Sequence, residues 1–176
     1  MKKILMVALG LIMILSVAAA AAETAEMATL KVNEVFTIQG KIPEGYSYQT
    51  LQEEELYIIG MLTGEVGKPM VTVSIAYNEE YDEVERFNDV DDATVEEIKN
   101  SFLEMDDGVV FEDLETSHGT RLLKAADPNK DFIDIYTIYK SYELEFVLTP
   151  GAEPLSDADV QMLVDFISDI EFVPAA

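Results

Sequence analysis

The chain has no cysteine, no tryptophan and a single histidine, and it carries 11 lysines and arginines against 35 aspartates and glutamates. Each scarcity removes a class of function. Without cysteine there is no disulfide, no thiolate nucleophile and no lipid-modified N-terminal cysteine. One histidine alone leaves a typical zinc site short of nitrogen and sulfur ligands. A formal charge of −24 repels phosphate backbones and anionic headgroups, which discounts nucleic acid and lipid surfaces as partners. Missing tryptophan also removes the usual platform for stacking sugar rings. Phosphate loops are absent as well: GEVGK, residues 64–68, runs into Pro69, and no helix begins there. The balance of charge favours cations and basic proteins.

Long apolar runs are also lacking, with one exception. The opening MKKILMVALGLIMILSVAAAAAE places Lys2 and Lys3 before an apolar core, Ile4 to Val17, and then small residues offering A-x-A sites. That is the layout of a secretory signal over residues 1–22, cleaved after Ala20 or Ala22. The core is shorter than the ~20 residues that span a bilayer. A secreted or periplasmic product is expected, with no membrane attachment after cleavage. Cleavage leaves roughly 154 residues, an ordinary length for one domain, able to bury ~70% of its unfolded surface without disulfide or metal. Residues 23–33 read as a flexible lead-in and 34–176 as a single α+β domain.

Within that domain, hydrophobic residues alternate along EVFTIQG, YSYQTLQE, ELYIIGMLTGE and KPMVTVSIAYN, the pattern of half-buried strands. Gly64 to Pro69 joins the last two as a hairpin. A helix follows, with Thr94 and Glu97 spaced as a capping box and Val95, Ile98, Phe102 and Met105 on one stripe. Next come VVFEDLET, GTRLLKAAD, DFIDIYTIY and ELEFVLT, again strand-like. Ser156 and Asp159 then open a second helix, with Leu155 stapled to Val160 and a stripe of Val160, Leu163, Val164 and Ile167. Each helix has one apolar face, so each must pack on a sheet. The expected fold class is α+β: one antiparallel β-sheet flanked by helices. Helices on opposite faces give an α/β/α sandwich; both on one face give a two-layer fold.

Three stretches resemble PsbP-like proteins, the family that includes the extrinsic PsbP subunit of photosystem II and DcrB-like exported proteins. They are FTIQGKIPEGY (Phe36 to Tyr46), the hairpin DFIDIYTIYKSYELEFVLT, and the terminal helix ending in SDIEF (Ser168 to Phe172). The resemblance implies a PsbP-like α/β/α sandwich and a non-enzymatic accessory or binding role. The matching positions are turn and core residues, so no functional residue is carried over.

The densest acidic stretch is YNEEYDEVERFNDVDD, residues 77–92, half of which is Asp or Glu. Calcium takes six to eight oxygen ligands, and Asp89, Asp91 and Asp92 offer several. No glycine follows them in the manner of a helix–loop–helix calcium loop. Asp91 and Asp92 also precede a helix, where negative charge complements the backbone dipole. A solvated loop and helix start explains the stretch more simply. His118 beside Ser117 lies in a tight turn, where a nucleophile–base pair rarely forms. Acidic pairs that cleave glycosides are conceivable, but with 35 acids no pair stands out. Tyr46, Tyr48, Tyr136, Tyr139 and Tyr142 read first as core, and second as aromatic anchors for a partner.

No catalytic, cofactor-binding or metal-ligating residue is assigned, and no cofactor is expected. The expected function is that of a secreted non-enzymatic accessory or binding protein whose partner is a basic protein or peptide. The alternative is a calcium-responsive binding protein using the acidic loop 78–92, with weak calcium as its ligand.

Overall fold

The structure, a computed structural model, describes residues 27–129 and 131–175. The expected signal segment, 1–22, and the first part of the lead-in lie outside the described residues. Chain order is β1 (Met27–Val32), β2 (Phe36–Lys41), β3 (Ser47–Glu54), β4 (Tyr57–Thr63), β5 (Met70–Tyr77), α1 (Asp92–Met105), β6 (Val110–Glu115), β7 (Arg121–Ala126), β8 (Ile133–Tyr139), β9 (Tyr142–Thr149), α2 (Asp157–Ser168) and β10 (Glu171–Pro174). The class is α+β and all strand pairing is antiparallel. The single expected sheet is two: a seven-stranded sheet in the order β3-β4-β5-β9-β8-β7-β6, and a three-stranded sheet β1-β2-β10.

The lead-in is corrected by the same finding. Met27–Val32 pairs with β2 along its whole length, because Ala28, Leu30 and Val32 alternate with polar residues and can bury one face. Its turn uses Asn33 and Glu34, both with positive φ (45° and 61°). Such turns match the twist of the strands they join.

Side-chain alternation sends the two faces of the large sheet to two different cores. In β8 all seven residues are buried. Ile133, Ile135 and Tyr139 join Phe36, Leu144, Phe146 and the α2 residues Leu163, Phe166 and Ile167. Tyr136 and Ile138 join Phe87, Leu123 and the α1 residues Val95, Ile98 and Phe102. The helices therefore lie on opposite faces. α1 covers one, and α2 with the three-stranded sheet covers the other.

The helix ends differ in how well local signals placed them. Ser156 and Asp159 form the expected capping box: Asp159 N donates to Ser156 Oγ (3.2 Å) and Ser156 N to Asp159 Oδ2 (2.8 Å). Leu155 and Val160 do meet in one cluster, whereas Val164 is only half-buried and Phe166 is buried. The Thr94–Glu97 box is a correction. The cap is Asp91, whose Oδ1 accepts from Thr94 N at 2.8 Å, so the helix begins three residues earlier. Met105 is 54% exposed, and Val109 beyond the turn enters the core instead. Donation from Thr94 holds the Asp91 carboxyl below the usual aspartate range. Replacing Asp91 with alanine is expected to lower the melting temperature and speed amide exchange at Thr94, whereas asparagine, also a good cap, restores both. The difference from wild type should fade as pH falls from the ordinary aspartate range through the lowered pKa of Asp91, since a protonated Asp91 caps poorly.

Candidate functional site

The acidic stretch 77–92 is docked by its backbone and solvated by its side chains. Lys140 N donates to Glu85 O (3.0 Å), Ser141 N to Val84 O (3.2 Å) and Asn78 N to Ser141 O (2.9 Å), tying the stretch to the tip of the β8–β9 hairpin. Phe87 is fully buried and meets Tyr136 edge to face at 5.7 Å. All eight carboxylates of the stretch are exposed. Asp91 caps α1 and Asp82 accepts from the Tyr77 hydroxyl. Among the described residues, no three acidic or histidine side chains are grouped to hold a metal ion.

The other candidates land as follows. Ser117 and His118 are exposed in the β6–β7 turn. Tyr139 and Tyr142 are buried against Phe36, with ring centroids at 5.0 and 5.6 Å. Tyr136 points to the opposite core. Tyr48 lies over Gly60, where an added Cβ would fall 2.1 Å from its hydroxyl oxygen. The tyrosine anchors considered from sequence are thus mostly core, and only Tyr46 and Tyr48 keep partial exposure.

A different constellation emerges where β8 and β9 pair. The two-residue turn at Lys140 and Ser141 sets Tyr136 opposite Glu145, Ile138 opposite Glu143 and Asp134 opposite Val147. Continuing across the α1-side face, one row runs Ala125, Asp134, Val147, Thr72 and Met61. The next runs Leu123, Tyr136, Glu145, Ser74 and Ile59, and a third joins Ile138, Glu143, Ala76 and Tyr57. The cluster beneath α1 draws its sheet residues from β6, β7 and β8, and none from β3, β4, β5 or β9. Half of this face therefore has no helix over it among the described residues. Tyr57, Ile59, Met61, Thr72, Ala76 and Val147 are half-buried there, in the same rows as the carboxylates Glu143, Glu145 and Asp134.

Those carboxylates sit in unlike environments. Tyr136 Oη donates to Glu143 Oε1 at 2.7 Å, so Glu143 is engaged, although burial still raises its pKa. Glu145 has its pKa raised to about 7, first by burial and then by the Glu143 charge. Asp134 is 7% exposed, and its Oδ1 has no hydrogen-bond partner among the described residues. Burial, followed by the charge of Glu145, holds its carboxyl well above the aspartate range. The ion pairs of the described residues, Lys31–Glu34, Lys99–Glu96, Arg121–Asp113 and Lys124–Glu112, leave all three carboxylates out.

Sequence reasoning passed over Asp134, Glu143 and Glu145 because they lie inside a hairpin recognised as structural. A signal was present: ELEFVLT puts carboxylates at alternate positions, and DFIDIYTIY puts Asp134 inside an otherwise largely apolar strand. The face they occupy pairs half-buried apolar side chains with under-neutralised acids. That combination suits the aliphatic stems and charged heads of lysine and arginine. No protein-family model, curated protein or solved structure matches this chain.

Proposed function

We propose that the protein is an exported, non-enzymatic accessory or binding protein of the PsbP-like kind, and that its partner is a basic protein or peptide. The observation that carries this reading is the uncovered half of the large sheet, where Tyr57 and Ile59 of β4 share rows with Glu143 and Glu145 across β5, and Met61 shares the row of Asp134 across β5 and β9. Apolar area there supplies affinity, and the acids select a cationic partner and steer it. The overall charge of −24 adds long-range attraction. Buried acids also occur in hydrolases. These lie along a pleated face beside half-buried apolar side chains, a setting suited to docking more than to enclosing a reacting bond.

The test uses a nine-residue peptide alternating arginine and valine as a model partner. Ile59→Lys and Val66→Lys add the same charge, the first on the face and the second on the fully exposed β4–β5 hairpin. Wild-type binding should weaken as salt shortens the screening length toward ~8 Å. Ile59→Lys should cost about tenfold in affinity, equal to ~1.4 kcal/mol, and Val66→Lys about twofold or less. Equal losses in the two variants would show that charge alone, and not this face, governs binding.

A further inference from the structure

We infer that Asp134 and Glu145 together receive the head group of one arginine or lysine side chain from the docked partner. The inference rests on the docking reading above and names the pair of acids within that face. Asp134 lies on β8 opposite Val147, and Glu145 lies on β9 opposite Tyr136, so the two acids are diagonal neighbours on one face. Diagonal positions on paired strands are roughly 7 Å apart, within reach of each other's side chains. A planar guanidinium or an ammonium fits between two such carboxyl groups and donates to both.

Asp134 gives the reason to expect a ligand. A buried carboxyl oxygen without a donor is a costly arrangement, whether the group is ionised or carries a proton. Its neighbour on the same face, Glu143, has already found the Tyr136 hydroxyl. Asp134 Oδ1 has no hydrogen-bond partner among the described residues. Glu145 is less deeply buried than Asp134 and stands toward the uncovered strands, next to Ser74 of β5. A side chain entering from that side passes Glu145 before it reaches Asp134.

The walls select among cations. Val147 and the methyl group of Thr72, both half-buried, share the row of Asp134 on the uncovered side, so the aliphatic stem of lysine or arginine has apolar surface to lie on. Calcium needs six to eight oxygens, and this part of the face lacks them. An organic cation with two or three directed donors needs only the two carboxylates. Arginine, whose fork reaches two acceptors at once, should be preferred to lysine.

The experiment replaces each arginine of the alternating peptide in turn by citrulline, its neutral isostere, and measures affinity for wild type and for Asp134→Asn/Glu145→Gln. In wild type one position should discriminate arginine from citrulline by about tenfold more than the others do. In the double variant that excess should fall to near zero, while the peptide still binds. An excess that survives in the double variant would overturn the role of the acid pair and leave the docking face standing. Failure of every arginine peptide to bind wild type, at low salt, would remove the docking face and the acid pair's role together. Circular dichroism and the melting temperature of the double variant separate lost recognition from lost folding.

Discussion

Replacing Phe36 with alanine is expected to destabilise the protein by about 4 kcal/mol, near the middle of the range for aromatic truncation in a core. Phe36 begins β2, is fully buried, and with Phe172 of β10 joins the small sheet to the aromatic rings of the large one. Its ring meets Tyr139 at 5.0 Å and Tyr142 at 5.6 Å, both edge to face, and lies 6.2 Å from Phe172 of β10. Removing it leaves a void that three aromatic rings line. Tyr139 and Tyr142 flank the strained hairpin turn, where Lys140 and Ser141 adopt φ of 49° and 67°. The cavity therefore weakens the support of the turn that sets the register of Glu143 and Glu145. Urea titration would show the midpoint falling with an unchanged slope. A loss below ~1 kcal/mol would mean that the two sheets do not share a core. Phe36→Leu, which refills part of the volume, should recover most of the stability.

The second large effect has the opposite sign. Glutamine at position 145 is expected to stabilise the protein at pH 8 by up to about 3 kcal/mol, taking 1.36 kcal/mol for each unit between an ordinary glutamate and about 7. The sign follows from proton linkage. Below the ordinary glutamate pKa, Glu145 is protonated in both folded and unfolded chains and contributes no difference. As pH rises from there toward 7, the unfolded chain gives up the proton first, so stability drains away through that interval. Above 7 both states are ionised, and the whole penalty of a buried charge is present. Wild type and Glu145→Gln should thus melt together near pH 4 and separate by several degrees at pH 8. Equal melting temperatures at both values would place the Glu145 carboxyl in water. The same variant carries half of the change that should abolish arginine recognition. Greater stability with weaker binding is the pattern of a group kept for its ligand and not for the fold.

Much of the architecture was legible before any coordinates. Alternation along VTVSIAY, DFIDIYTIY and ELEFVLT predicts strands that the structure contains, and Ser156 with Asp159 announces the start of α2. The start of α1 was misplaced because Thr94 and Asp91 both have the chemistry of a cap, and only the extended backbone at Asp91 (φ −73°, ψ 161°) distinguishes them. β1 was missed because six residues with modest alternation become a strand only when β2 lies beside them. The site was the least legible part. Asp134, Glu143 and Glu145 look like any of 35 acids until the register of one hairpin and the reach of one helix set them apart.

The sequence by itself determined the local elements, the charge and the apolar stripe of each helix, because periodicity and capping act over three or four neighbouring residues. Tertiary structure alone decided that the strands divide into two sheets, that α1 stops short of β9, and that one carboxyl oxygen is buried without a donor. Those outcomes depend on contacts between residues far apart in the chain, where a short window of sequence holds no record of the partner.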